Sequence, residues 1–359
     1  DVAAARALRL ARALGESLAR VTGESLLLDS CRVVQQAAAD HDAAYLERLA
    51  TAHRFYRDGR IAHRDNEHAR AERLFRRASD AFRHTSSPMK YVTAYYLGSS
   101  LYFQFRIQEA TRQLHEINTE ELARRDYYAL AAQIGWEQGL CELVSGSVSN
   151  AIGILNTSRQ SFERLGEKEN AATLDTLLAE ALDFVDDPSA GWKHRRRALN
   201  ELSSAGNETR VLIALTTAAD DRLRREQWQR ASALLDIAAD IARRMKHQEL
   251  AAYVLVKRSV ARLHLGRAGP AAEDLREARI WIGQLSQQSA RDRADAELAV
   301  AESAQSRANT PSALAALDHA VQYYEKAAPA YLPPRLLERA GLRVRSGDVA
   351  DAQPDLLAG

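Results

Sequence analysis

The sequence predicts an all-α chain, a right-handed helical-repeat solenoid with about 40 residues per unit. Three observations carry this expectation. Apolar residues keep a helical spacing almost throughout. Ala, Leu, Arg and Glu dominate, with only 8 Pro and 17 Gly in 359 residues, a composition that favours helix. Finally, a pair of small residues 12 positions apart recurs down the chain. Its clearest copy lies between Ala94 and Ile117, where Gly98 and Ala110 stand on two helical patterns separated by Arg106-Ile107-Gln108-Glu109, read as the turn.

The bulk properties narrow the possibilities. A chain of 359 residues exceeds the size at which one compact core stops growing, so it must split or extend. Charged residues at 27% and hydrophobic ones at 46% argue against disorder. With 49 basic and 48 acidic residues the net charge is +1, so no global field draws in nucleic acid or an anionic membrane. Cys31 and Cys141 lie far apart on apolar helical patterns, which fits buried thiols in a reducing, cytoplasmic compartment. No apolar run approaches the roughly 18 to 20 residues of a membrane span. The chain opens at Asp1 without Met and stops at Gly359 within a helical pattern. Both ends therefore read as cut, and a missing signal peptide carries no information.

In chain order, residues 1–41 read as N-terminal capping helices or the remnant of a preceding unit. One helix runs over about 2 to 21, and a second over about 24 to 39 with Leu27, Leu28, Cys31 and Val34 on one face. Residues 42–359 read as about eight helix-turn-helix units, the last truncated. The first three follow the pattern Gly59, Ala71, Phe75, Ala78; Gly98, Ala110, Leu114, Ile117; and Gly139, Ala151, Leu155, Ser158. The fourth (Ala179, Gly191, Arg195, Ala198) is the poorest, and its Arg195 predicts looser packing. Three fuller copies follow at Ala219, Ala231, Leu235, Ala238; Ser259, Ala271, Leu275, Ala278; and Ala301, Ala313, Leu317, Ala320. The eighth is Ala340, Ala352, Leu356, Gly359. Starts are separated by 39, 41, 40, 40, 40, 42 and 39 residues, and turn residues such as Asp65-Asn66, Ser145-Gly146-Ser147 and Asp186-Asp187-Pro188 fall in phase. Small residues are needed because two antiparallel helices joined by a short turn interlock only where side chains at the crossing are small.

These spacings resemble the tetratricopeptide repeat (TPR), with a small residue at position 8, Ala at 20, a large apolar residue at 24 and a small one at 27. The usual unit is near 34 residues, so about six extra residues per unit imply longer helices. The family's Trp at position 4 is mostly absent; Phe55 holds that place once. A narrower resemblance rests on Ala52-His53-Arg54-Phe55-Tyr56-Arg57-Asp58-Gly59-Arg60, on Ser87-Pro88 leading into Ala94-Tyr95-Tyr96, and on Gly347-Asp348-Val349-Ala350-Asp351-Ala352. It is similar to the N-terminal repeat region of bacterial CHAT-domain proteins. That resemblance implies a caspase-like peptidase domain after Gly359, controlled by a non-enzymatic scaffold that holds a partner or substrate peptide in its concave groove. The alternative is the sensor or effector-binding domain of a bacterial transcription regulator or signalling ATPase.

The remaining constellations point to no chemistry within the chain. Neither cysteine has a His nearby in sequence, and Gly266-Arg267-Ala268-Gly269-Pro270 lacks the Lys-Ser/Thr of a phosphate loop. His63-Arg64-Asp65-Asn66-Glu67-His68 gathers metal-ligand types, but an N-cap at Asp65 or Asn66 explains it more cheaply. The run Lys193-His194-Arg195-Arg196-Arg197 fans around a helix and reads as a solvated face rather than a nucleic-acid site. No catalytic residue, metal or cofactor is expected.

The repeat resemblance implies inward-facing residues at positions 2, 5, 9 and 12 of each first helix. Carried over, these are His53, Tyr56, Arg60 and His63, then Val92, Tyr95, Ser99 and Tyr102, then Gln133, Trp136, Leu140 and Leu143. Later units offer Thr176, Glu180, Asp183, Asp220, Asp295 and Glu302. The partner-binding candidates are His53, Tyr56, Arg60, His63, Tyr95, Ser99, Tyr102, Gln133 and Trp136, because aromatic side chains bury large area at low entropic cost. The bland alternative is that these rings pack between neighbouring units. The expected partner is a protein or peptide, the peptidase domain of the same chain being one candidate, with neither membrane nor nucleic acid involved.

Overall fold

The computed structural model describes residues 2–286, 288–306 and 309–359; Asp1 lies outside the described residues. Among the described residues there are 19 α-helices, one 3-10 turn and no strand. The fold is all-α and TPR-like, as the period predicts. The chain forms two compact units, one of Asp1–Glu142 with Asn150–Ala171, the other of Leu143–Ser149 with Ala172–Gly359.

The first unit holds α1 (Val2–Thr22), α2 (Leu26–Ala39), α3 (Ala43–Arg64), α4 (His68–Arg83), α5 (Met89–Tyr102), α6 (Ile107–His115) and α7 (Thr119–Arg124), with most of α8 (Tyr128–Val144) and α9 (Val148–Arg164). The second holds most of α10 (Lys168–Phe184), then α11 (Pro188–Ala205), α12 (Glu208–Arg224), α13 (Trp228–Met245), α14 (Gln248–His264) and α15 (Ala268–Gly283). It continues with α16 (Gln288–Gln305), α17 (Thr310–Ala327), a 3-10 turn (Pro329–Tyr331), α18 (Leu332–Ser346) and α19 (Val349–Ala358). From α9 to α17 the helices are 16 to 18 residues long, which accounts for the extra length per repeat.

The small residues of the first helices make room for the large residues of the second. A β-carbon added to Gly98 would lie 2.7 Å from Leu114; on Gly59 it would lie 2.7 Å from Phe75, and on Gly139 2.5 Å from Leu155. The small residue of the first helix thus seats the large residue of the second. All three large residues are fully buried, as are Leu235, Leu275 and Leu317 in later hairpins. Leu356, expected in the same role, is instead 54% exposed, while its neighbour Asp355 is buried.

The turns repeat in backbone conformation more strictly than in sequence. Left-handed residues fall at Asn66, Phe105, Gly146, Asp186, Glu226 and Gly266, with φ between 54° and 88°, separated by 39, 41, 40, 40 and 40 residues. Only two of the six are Gly, so the other four accept a conformation that a β-carbon disfavours. Two sequence expectations shift here. The turn between α5 and α6 lies at 103–106, because Phe105 is the left-handed residue and Arg106 already caps α6. Asp65 ends α3 and Asn66 takes φ 60°, so neither is an N-cap; Glu67 precedes α4 without a side-chain cap bond.

The basic run also departs from expectation. Lys193, Arg196 and Arg197 are exposed, but Arg195 is only 1% exposed. It takes the buried seat that Leu or Phe holds elsewhere and pairs with both carboxylate oxygens of Asp183, with Asp221 3.9 Å away. Gly191 makes room: a β-carbon there would lie 3.1 Å from both the Arg195 guanidinium and the Ala179 carbonyl oxygen. Looser packing is therefore not what this hairpin shows. It trades an apolar contact for a buried ion pair.

Gly98→Ala is expected to destabilise the chain by about 1–3 kcal/mol through overpacking. Gly153→Ala, in α9 with nothing within 4 Å of the added carbon, should stabilise it by roughly 0.5–1 kcal/mol. Urea unfolding of both variants checks the pair, and effects of the same sign would refute the seating argument.

Candidate functional site

The second unit contains a cleft of about 810 Å³ between the exposed edges of α10, α12, α14, α16 and α18. Its aromatic walls are Phe184, Trp228, Tyr253 and Tyr331. Tyr331 sits edge-on to Phe184 at 5.4 Å, and the Trp228 and His264 rings stack at 3.7 Å and 5°. Between them lie charges that are mostly paired. Lys257 Nζ is 2.9 Å from Glu297 Oε2 and 3.8 Å from Asp220 Oδ1. Tyr253 Oη donates to Asp220 (2.9 Å), Tyr331 Oη to Glu180 (2.7 Å) and Tyr324 Oη to Glu297. Arg224 joins Arg195 on Asp183.

Burial and pairing divide the two carboxylates at the floor. For Glu297, burial pushes the carboxyl up, but Lys257 first and then Arg335 and the Tyr324 hydroxyl bring it down to about 2. For Glu180 burial prevails over the Tyr331 hydrogen bond, and its carboxyl stands above the ordinary range. Glu180 is half-buried and has no cation in salt-bridge contact among the described residues, so it favours a donor that enters the cleft. The walls therefore offer aromatic area and fixed hydrogen-bonding groups, suited to an extended segment of polypeptide.

Glu180, Asp183 and Asp220 were expected to face inward, and they line this cleft. Thr176 is buried in α10. Asp295 and Glu302 are not among the lining residues. Burial raises the Asp295 carboxyl, and Glu302 accepts from Arg279 at 2.6 Å. Sequence reasoning missed Tyr253, Lys257, Glu297 and Tyr331. Tyr253 holds position 2 of its unit, so the positional rule could have found it. Lys257 and Glu297 lie off that rule, and Tyr331 sits in a connecting turn.

The aromatic candidates all fall in the first unit. Along α3, His53 packs edge-on to Phe82 (5.2 Å), Tyr56 lies 6.2 Å from Phe75 and 6.1 Å from Tyr96, and the Arg60 guanidinium lies 3.8 Å over the Tyr96 ring. His63 meets His68 at 5.1 Å and shares a 3.3 Å hydrogen bond with Ser99 Oγ. Tyr95 and Ser99 are buried, and Tyr95 Oη donates to Gln133 Oε1 at 3.0 Å. Tyr102 is half-buried beside Phe103, and Trp136 is edge-on to Phe162 at 6.2 Å. His53, Tyr56 and Arg60 line an open hollow over α3, whereas Tyr95 and Ser99 form the layer beneath. Of the inward-facing apolar positions, Val92 and Leu143 are buried and Leu140 is half-buried.

Polar groups are trapped in that layer. His68 stacks on Phe103 at 4.8 Å, and its Nδ1 is buried without a hydrogen-bond partner among the described residues. Burial lowers both His63 and His68 to about 4, with the neighbouring His68 and Arg60 adding to the shift at His63. Glu137 is buried with Oε1 lacking a hydrogen-bond partner among the described residues, and burial raises its carboxyl to about 7 against a hydrogen bond from Ser99. Cys31 and Cys141 are free and buried, with the Cys141 thiol pushed up to about 12 by burial.

No protein-family model matches the chain, and no curated protein matches it. Solved structures do. The apo form of the quorum sensor NprR from B. thuringiensis is 13% identical, with TM-score 0.63, covering 90% of this chain and 95% of that one. A Rap protein complexed with competence and sporulation factor is 15% identical, with TM-score 0.59, covering 86% and 89%. A signal transduction ATPase from Pyrococcus horikoshii with a tetratricopeptide repeat sensor is 14% identical, with TM-score 0.53, covering 76% of this chain and 42% of that one. At such identities the likeness is one of fold, and it places the chain's architecture among TPR-like helical repeats.

Tyr95→Ala is expected to destabilise the chain by about 3 kcal/mol or more, since it empties a buried aromatic site. Thermal or urea unfolding checks this, and a loss below ~1 kcal/mol would show the ring to be dispensable for packing. The histidine pair makes a second prediction. Both folded-state values lie below the usual 6.5, so the unfolded chain takes up protons first as the pH falls. Their contribution is complete above about 6.5 and is lost between there and about 4, while Glu137, raised instead, acts in the opposite sense. Replacing His68 by Phe removes one histidine from this balance. The stability advantage of wild type over His68→Phe should therefore shrink by on the order of a few kcal/mol between pH 7 and pH 4. A pH-independent difference would contradict the buried neutral histidine.

Proposed function

We propose that the chain is a non-enzymatic recognition and regulatory scaffold that holds a short extended segment of a protein partner. The observation that carries this reading is the cleft of about 810 Å³, where four aromatic side chains stand beside a preorganised set of paired charges. The hydroxyls of Tyr253 and Tyr331 are held by Asp220 and Glu180, so the rings are fixed before a ligand arrives and little side-chain entropy remains to be lost. The likeness in fold to a Rap protein crystallised with competence and sporulation factor supports the same reading.

The first unit supplies a second contact surface in this proposal. His53, Tyr56 and Arg60 form its accessible part, with His63, Tyr102, Gln133 and Trp136 beside it and Tyr95 and Ser99 supporting it from below. Residues 1–41 serve as a cap to about eight units over 42–359. Two finer readings concern what the bound segment controls. The resemblance at residues 52–60 favours a CHAT caspase-like peptidase domain in a bacterial, cytoplasmic protein. The likeness to the P. horikoshii ATPase with its tetratricopeptide repeat sensor favours a signalling ATPase instead.

The test is selection of displayed random heptapeptides on the purified chain, followed by affinity measurement on Trp228→Ala and Arg345→Glu, which alter the cleft wall without emptying a buried site. A shared sequence pattern should emerge, and each variant should weaken it about tenfold or more. Failure of any peptide to enrich, or binding to both variants as tight as to the unmodified chain, would sink the proposal.

A further inference from the structure

The exposed face of α3 carries Arg54, Arg57, Arg60 and Arg64. At intervals of three, three and four residues they form one stripe on a helix of 3.6 residues per turn. With His53 and Tyr56 they line an open hollow of about 590 Å³. The existing partners of the stripe are local and weak. Arg57 pairs with its neighbour Asp58 at 2.8 Å and Arg64 with its neighbour Asp65 at 3.1 Å, both through largely exposed side chains. Arg54 donates to Thr51 Oγ1 at 2.8 Å.

Arg60 differs from the other three. Its guanidinium lies 3.8 Å over the centre of the Tyr96 ring, which is itself braced by Phe75 (5.6 Å) and Tyr95 (4.8 Å). Among the described residues no carboxylate lies within salt-bridge distance of it. Arg60 also hydrogen-bonds the Tyr96 side chain, which holds the guanidinium against the ring, and its remaining N–H donors are those that can take a carboxylate by two parallel hydrogen bonds. Burial lowers the neighbouring His53, so the positive charge of this face is that of the arginines.

We infer that the α3 stripe binds an acidic segment of a partner protein, with side-chain carboxylates along the stripe and one held bidentate by Arg60. Arg54 to Arg64 spans about 15 Å of helix, the length of an extended segment of about five residues. A protein segment fits better than nucleic acid for two reasons. Asp58 and Asp65 flank the stripe and repel a continuous phosphate backbone. The Tyr96 ring already stacks on Phe75 and carries the Arg60 guanidinium, so it offers no free face to a base. This inference rests on the recognition reading above but uses a surface in the other compact unit.

The test is fluorescence anisotropy on the full chain with a labelled heptapeptide of alternating Glu and Asp, its Gln/Asn counterpart and a single-stranded oligothymidylate. The acidic peptide should bind about tenfold or more tighter than its amide counterpart, with affinity falling as salt rises. Arg57→Glu with Arg64→Glu should weaken it at least about tenfold, and Arg60→Lys, which keeps the charge but loses the planar fork, about threefold or more. Arg73→Glu with Arg83→Glu, on the exposed face of α4, should leave it unchanged, as should Trp228→Ala in the cleft. The proposal is overturned by equal binding of the amide peptide, by equal loss in the α4 variant, or by tighter binding of the oligonucleotide. Peptides that enrich on the cleft while the acidic heptapeptide fails to bind would overturn this inference alone.

Discussion

Everything in this structure depends on how closely two antiparallel helices approach within each hairpin. Leu114 lies where a β-carbon on Gly98 would stand, and Phe75 and Leu155 do the same at Gly59 and Gly139. That contact sets the distance between the helices, and the distance sets which side chains reach the core. From α9 to α17 the helices are 16 to 18 residues long, so these hairpins also carry more exposed face. The α3 stripe lies on such an exposed face, where packing does not dictate residue type and chemistry is free to vary.

Charge is handled differently inside and outside this frame. Exposed pairs such as Arg57 with Asp58 hold little energy, whereas buried ones are satisfied several times over. Asp274 accepts from both Arg258 and Arg262, and Asp355 from both Arg339 and Arg343. In each cluster a second carboxylate, Asp236 or Asp318, comes from the helix before. The floor of the cleft, with Lys257 between Asp220 and Glu297, is built on the same plan but opens to solvent.

The hairpins, their period and their core positions were legible because each rests on a residue type at a fixed interval. Gly98 and Leu114 could be picked out by spacing alone, although which touched which could not. Turn boundaries were less legible. Phe105 and Glu226 adopt the left-handed conformation without being Gly or Asn, so no local signal marks them. Arg195 was misread because a run of five basic residues looks solvated, and only the distant Asp183 and the space above Gly191 reveal that one of them is buried. The cleft was half legible. Glu180, Asp183 and Asp220 obey the repeat's positional rule, but Glu297 lies off it and Tyr331 arrives from a connecting turn. The aromatic candidates obey the same positional rule, but neither position nor type separates Tyr56, which reaches the surface, from Tyr95, which lies beneath it.

The paired arginine clusters bear on how such a chain assembles. Hairpins lined with Ala and Leu are nearly interchangeable, so a repeat protein risks docking one of them on the wrong neighbour. Arg258 and Arg339 each draw one carboxylate from their own hairpin and another from the helix preceding it. A hairpin seated out of turn would carry a buried guanidinium short of an acceptor, a penalty of several kcal/mol. The clusters thus act as address labels between sequential hairpins, making the order of the array a property of its charges as much as of its connectivity.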